Sequence, residues 1–254
     1  MTPVFRPALS SVSASASAAL ALLLGLSLPG CGGGGGGGGG QTYTFQAPAG
    51  GSTAHEQALI TDSLGATVTV ETDVVASHPN GVDGYVMTAD DTTAATVVDG
   101  ITFGGQVVVD AHGADGTLNE RTTTQLPGGA SVACAYAPPA QPLPWPLHVG
   151  QAWNAAWART CSDNTSATFA LTNGHVIATE SLTVGAGTFT ALHARYDLLV
   201  TRSPSNEVAL QGVDTWVDTL TSRTLKTQVG TSYLVNAPSG AYVSNEVRTL
   251  AALH

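Results

Sequence analysis

Apolar residues along this chain recur mainly at every second position, in short runs broken by Gly, Pro, Asn and Asp, which is the period of half-buried strands. The first run is 41–47, with Tyr43 and Phe45 on one face. Residues 65–71 follow, with Ala66, Val68 and Val70 inward, and after a Pro79-Asn80-Gly81 turn Tyr85 and Met87 mark a short strand. Residues 94–98 and 101–109 flank Asp99-Gly100, a tight-hairpin dipeptide. A weak strand at 118–124 precedes 131–136, which carries Cys134. Further on, a strand from Val149 runs through Trp153 and Trp157, and Asn173-Gly174 predicts a hairpin between 167–171 and 175–184. Residues 188–201, 207–219, 224–229, 232–235 and 241–247 complete a meander. Residues 55–63 have spacing compatible with a helix, and the i,i+4 spacing within 147–157 also allows a short one. The pattern predicts a mainly β protein of antiparallel meander sheets, its second unit a curved open sheet or partial barrel.

Composition sharpens this picture. Charged residues are 10% of the 254, well under the usual quarter, and Thr, Ser, Ala, Gly and Val replace them, favouring strands and turns. From 41 to 140 there are eleven acids against one base, Arg121; from 141 to 254, seven acids face six bases. The asymmetry suggests an acidic β unit at 51–136 and a C-terminal antiparallel β domain at 147–254. Between them, 137–146 holds five prolines and reads as a stiff connector. A net charge of −10 argues against nucleic acid as a partner.

Residues 1–30 have one early positive charge, Arg6, and an apolar core at 18–28, too short for a spanning helix. The run ends Leu28-Pro29-Gly30-Cys31, followed by nine glycines, Gly32 to Gly40. These four residues resemble the lipobox of bacterial lipoproteins. The resemblance implies cleavage before Cys31, a diacylglyceryl thioether on its sulfur, acylation of the new amino terminus, and the membrane as partner through that lipid anchor. Gly32, where a retention signal has Asp, implies the outer membrane, with the body facing the periplasm or the cell surface. Residues 31–50 then form the lipidated cysteine and a flexible tether whose glycines span about 15–18 Å. With Cys31 acylated, Cys134 and Cys161 remain, and in an exported chain they are expected to pair. The alternative is two reduced, buried thiols.

The stretches 146–150, 180–189 and 214–218 with 223–226 loosely resemble uncharacterised periplasmic and outer-membrane proteins that are compared with the lipoprotein-carrier fold. That fold is a curved sheet with an apolar concave face closed by a helix. The resemblance implies carriage of lipid or lipoprotein, but the closing helix has no counterpart in this sequence.

Catalytic signals are sparse. Ser181 and Ser203 lie in no Gly-x-Ser-x-Gly elbow, and pairing them with His175 or His193 rests on no spacing. His112, His175, His193 and Asp197 form no short-spaced ligand set for zinc. Asp90, Asp91, Asp110 and Asp115 form no calcium loop. No cofactor is implied. Trp145, Trp153, Trp157 and Trp216 are either core or, with Arg195, Arg202 and Arg223 to read anions, a candidate groove for envelope lipid, glycan or protein. A non-enzymatic binding or scaffolding lipoprotein is the first expectation, an enzyme acting on envelope polymers the second, and a lipid carrier the third.

Overall fold

The structure, a computed structural model, describes residues 40–81, 83–126 and 128–254. The leader, Cys31 and the glycines before Gly40 lie outside the described residues. Among the described residues sixteen strands follow one another: β1 (Thr42–Tyr43), β2 (Thr53–Asp62), β3 (Thr67–Ser77), β4 (Tyr85–Asp91), β5 (Thr96–Val98), β6 (Ile101–Phe103), β7 (Gln106–His112) and β8 (Leu118–Gln125). Then come β9 (Ser131–Ala140), β10 (Leu147–His148), β11 (Ala152–Cys161), β12 (Ser166–Val184), β13 (Gly187–Ser203), β14 (Val208–Asp218), β15 (Thr224–Val235) and β16 (Val243–Leu253).

Twelve of them close into one antiparallel barrel, in the order β2, β3, β4, β7, β8, β9, β11, β12, β13, β14, β15, β16 and back to β2. The C-terminal meander curves as its sequence implies, and N-terminal strands complete it. Asn245 to Leu253 pair with Ala54 to Thr61, and Ala158 to Cys161 pair with Cys134 to Ala137. The acidic and the near-neutral stretches therefore share one continuous sheet.

Alternation decides which side chains enter. Along β3, Val70, Thr72, Val74 and Ala76 are buried, while Thr67, Thr69, Asp73, Val75 and Ser77 are exposed. Following the register around the wall, the inner row takes in Ala58, Val70, Trp157, Phe169, Val200, Val213 and Leu250. It also takes in charged groups: Glu56, Asp110, Arg121, Arg159, Arg202 and Arg248. The outer row mixes Thr, Ser, Gln, Asp and Glu with Ala, Val and Leu, as in Val107, Val109, Ala156, Ala170, Leu199 and Leu210. Among the described residues no helix is long and apolar enough to cross a membrane.

Both barrel ends are covered. At one, the hairpin β5–β6, turning at Asp99 and Gly100 as its sequence predicts, tucks Ile101 and Phe103 against Ala58, Ile60 and Val70. At the other, residues 41–48 cross the opening as a strap, held where β1 pairs with β10. The tip of the β12–β13 hairpin folds against β16 there, with Ala186 N donating to the Leu250 carbonyl at 3.4 Å.

Two expectations fail locally. Residues 55–62 are strand, part of β2, and Ser63 begins the turn, because Ala54, Ala58 and Ile60 fill inward positions of a sheet paired on both sides. Asn173-Gly174 is no hairpin turn: β12 runs through it, with a register shift between Thr172 and His175. Asn173 takes φ 55°, and Gly174 leaves room for the Trp153 ring, which any Cβ there would strike. The dipeptide encodes a bulge.

Candidate ligand-binding cavity

Beneath the strap lies a cavity of about 280 Å³. Its position follows from short-range rules. Tyr43 packs against the buried cluster of Leu147, Val176, Leu192 and Val217, and Phe45, two residues on, comes down onto the barrel mouth. There its ring centroid lies 6.1 Å from Tyr85 and 5.8 Å from Trp145. Gly116, at φ 83°, admits the ring, since a Cβ would stand 2.7 Å from Phe45 Cε2. Gln46 N donates to Ser222 Oγ at 2.9 Å, and His78 Nε2 donates to the Pro48 carbonyl at 2.7 Å, which fastens the strap on both sides of the opening.

The wall under Phe45 is apolar on one side, built from Val74, Tyr85, Met87, Ala89 and Val108. Glu56, Asp110, His112 and Arg223 supply its polar groups. Tyr85 and His112 sit opposite each other on β4 and β7 and stack at 4.7 Å with 4° between planes. Gly84, at φ 137°, makes this approach feasible, because any Cβ there would run into the His112 carbonyl oxygen.

Burial sets the electrostatics. It holds His112 below the ordinary histidine range, and Nδ1 is buried without a partner. Burial, with Asp110 and Asp115 adding, pushes the Tyr85 hydroxyl up to about 12. Asp110 accepts two hydrogen bonds from Arg121, from Nε and Nη2, each at 2.7 Å. Burial also raises Glu56, against the pull of Arg248, whose Nη1 stands 3.5 Å away. The cavity is thus an apolar slot with a few converging polar groups, the ordinary makeup of a small-molecule site.

Of the residues singled out in sequence, Arg223 lines this cavity and Trp145 backs its Phe45 cover. Trp153 faces inward, its Nε1 donating to the Pro142 carbonyl at 3.1 Å, so it ties the proline stretch to the barrel. Trp157 is core, stacked on Phe169 at 5.6 Å. Arg202 points inward beside Glu207. Trp216 lies on the other face of β14, between His193 at 4.2 Å and the Lys226 ammonium at 4.6 Å, and donates to Glu180. Arg195 is on that outer face, its side chain 56% exposed. The four tryptophans and three arginines therefore do not converge in one groove. Cys134 and Cys161 are bonded, cross-linking neighbouring positions of β9 and β11.

Several cavity residues had only a weak sequence signal. Phe45 and Tyr85 read as strand aromatics, and Asp110 and His112 as scattered titratable groups, because their convergence depends on β4 meeting β7 across the β5–β6 excursion. The other histidines beside carboxylates are tied down. His55 has Asp73 Oδ1 at 2.7 Å from Nδ1 and Glu71 Oε2 at 2.9 Å from Nε2. His193 Nε2 lies 2.9 Å from Asp214 Oδ1.

No protein-family model matches the chain, and no curated protein matches it. Among solved structures, a "putative lipoprotein" from Parabacteroides distasonis ATCC 8503 is similar to it with a TM-score of 0.47 and 13% identity, covering 84% of this chain and 100% of that one. A "putative exported protein with YmcC-like fold" from Bacteroides fragilis NCTC 9343 is similar with a TM-score of 0.46 and 10% identity, covering 84% and 100%.

Proposed function

We propose that this chain is a lipid-anchored envelope protein with a non-enzymatic binding role, holding one small apolar or amphipathic molecule in the cavity beneath Phe45. The observation that carries the reading is the cavity itself. It has an apolar wall of Val74, Met87, Ala89 and Val108, an aromatic cover, and a few polar groups, Glu56, Asp110, His112 and Arg223, around that wall. The lipobox-like Leu28 to Cys31 supplies the anchor, and the glycines that follow it a tether that holds the body off a bilayer. A carrier role is the second reading. The strap that covers the cavity is the segment into which the glycine tether leads, so the cavity end is the one tied closest to the membrane.

The test is a titration of residues 41–254, which include every strand, with the apolar fluorophore N-phenyl-1-naphthylamine. Saturable, one-to-one enhancement is expected, and Ala89→Trp, which fills the slot, should abolish it while the protein stays folded. Equal binding by wild type and variant, or no saturation, would sink the reading.

A further inference from the structure

A second feature of the barrel interior is independent of that cavity. Arg159, on the inner face of β11, is 8% exposed, and none of the ion pairs among the described residues includes it. Its Nε and Nη2 are buried without hydrogen-bond partners. Its polar contact is with the Tyr136 hydroxyl, and its guanidinium carbon lies 5.8 Å over the Phe169 ring.

Two more arginines face it. Arg159 and Arg202 both pair with Ala167, from either side, so only a methyl group separates their positions on the wall. Arg121 enters from β8 opposite Cys134, next to Tyr136 in the row. The acids in contact are Asp110, on Arg121, and Glu207, whose Oε2 is 3.5 Å from Arg202 Nη1. Asp163 feels the Arg159 charge but sits in the β11–β12 turn, bonded to Thr165 at 2.7 and 3.0 Å. Three guanidinium groups thus meet two carboxylates, and the charge left over belongs to the buried Arg159. Burial, with Arg121 and Arg202 adding repulsion, holds that guanidinium below the usual arginine range. A buried charge without a counter-charge is costly, and a ligand that supplied one would recover that cost.

We infer that the barrel interior contains a binding site for one oxyanion, a carboxylate or a phosphate, centred on Arg159 with Arg202 and the Tyr136 hydroxyl beside it. The planar fork of guanidinium donors matches two oxygens of such a group. Tyr136, Trp153, Tyr196 and Leu198 face inward yet remain partly exposed, and the Arg121 side chain keeps 40% exposure. The anion takes the buried Nε and Nη2 as the guanidinium turns off the Phe169 ring.

The test uses the full-length protein in phosphatidylcholine nanodiscs, melted at constant ionic strength in chloride with rising inorganic phosphate or, separately, acetate. Wild type should show a saturable rise in Tm with at least one anion. A rise with phosphate alone assigns a phosphate ligand, one with acetate alone a carboxylate, and either supports the site. Arg159→Met, which keeps the volume, should melt no lower than wild type without anion and lose the rise. Arg159→Lys and Tyr136→Phe should each keep the fold and weaken the response about tenfold. No anion-dependent rise in wild type overturns the inference. So does an undiminished rise in Arg159→Met, or, should that variant not fold, in both Arg159→Lys and Tyr136→Phe. The fluorophore titration of the strap-end cavity is read separately, so failure of one leaves the other standing.

Discussion

His55 has a carboxylate against each ring nitrogen on the outer face of β2 and β3. The Asp73 hydrogen bond is the largest influence, burial opposes it, Glu71 adds to it, and the result is a pKa above the ordinary 6.5. A histidine whose pKa is higher folded than unfolded contributes stability that is fully present below the unfolded value and fades as pH rises through the folded one. His55→Gln should therefore cost more stability at about pH 5 than at about pH 9, read from denaturant midpoints. An equal loss at both would contradict the linkage. At the same scale, Cys134 and Cys161 close a loop of sequence separation 27. Replacing both by Ser should lower unfolding free energy by about 3–4 kcal/mol in the chain-entropy model. Denaturation with and without reductant checks this, since wild type under reducing conditions should match the double variant.

Among the elements, the β5–β6 hairpin is a small plug set into a large wall. Phe103 and Ile101 are its buried anchors, packed on Ala58, Ile60 and Val70. Phe103→Ala should cost about 3–5 kcal/mol by urea denaturation; a loss under 1 kcal/mol would show a hairpin that adds little to the core. This hairpin was legible from Asp99-Gly100 because both residues are needed at positive φ. The β12–β13 turn at 185–187 was legible for a similar reason, Gly187 standing at φ 134°. Asn173-Gly174 carries the same dipeptide chemistry with the opposite outcome, since strands on both sides of β12 hold the chain straight through it. Ala, Gln and Leu in 55–63 lack the β-branching that marks a strand, and pairing with β3 and β16 overrides their local preference. The cavity was least legible: Phe45, Tyr85, Asp110 and His112 come from three segments, the strap, β4 and β7, and their meeting depends on β4 pairing with β7 across the β5–β6 excursion.

For the whole molecule, closure depends on the pairing of β2 with β16, strands from opposite ends of the described chain. The strap precedes β2 directly, so the anchor proposed at Cys31, the tether and the covered cavity lie in one line along the sequence. Cys31→Ser should leave the barrel intact while abolishing incorporation of labelled palmitate and moving the protein out of the membrane fraction. Unchanged membrane retention would refute the anchor. The central claim, a ligand slot beneath Phe45, is met most directly by diffraction from crystals of residues 41–254 soaked with a short bromoalkane. The expected result is a bromine anomalous peak between Val74, Tyr85, Met87 and Val108, absent in Ala89→Trp. A peak outside the barrel, or one that persists in that variant, would contradict it.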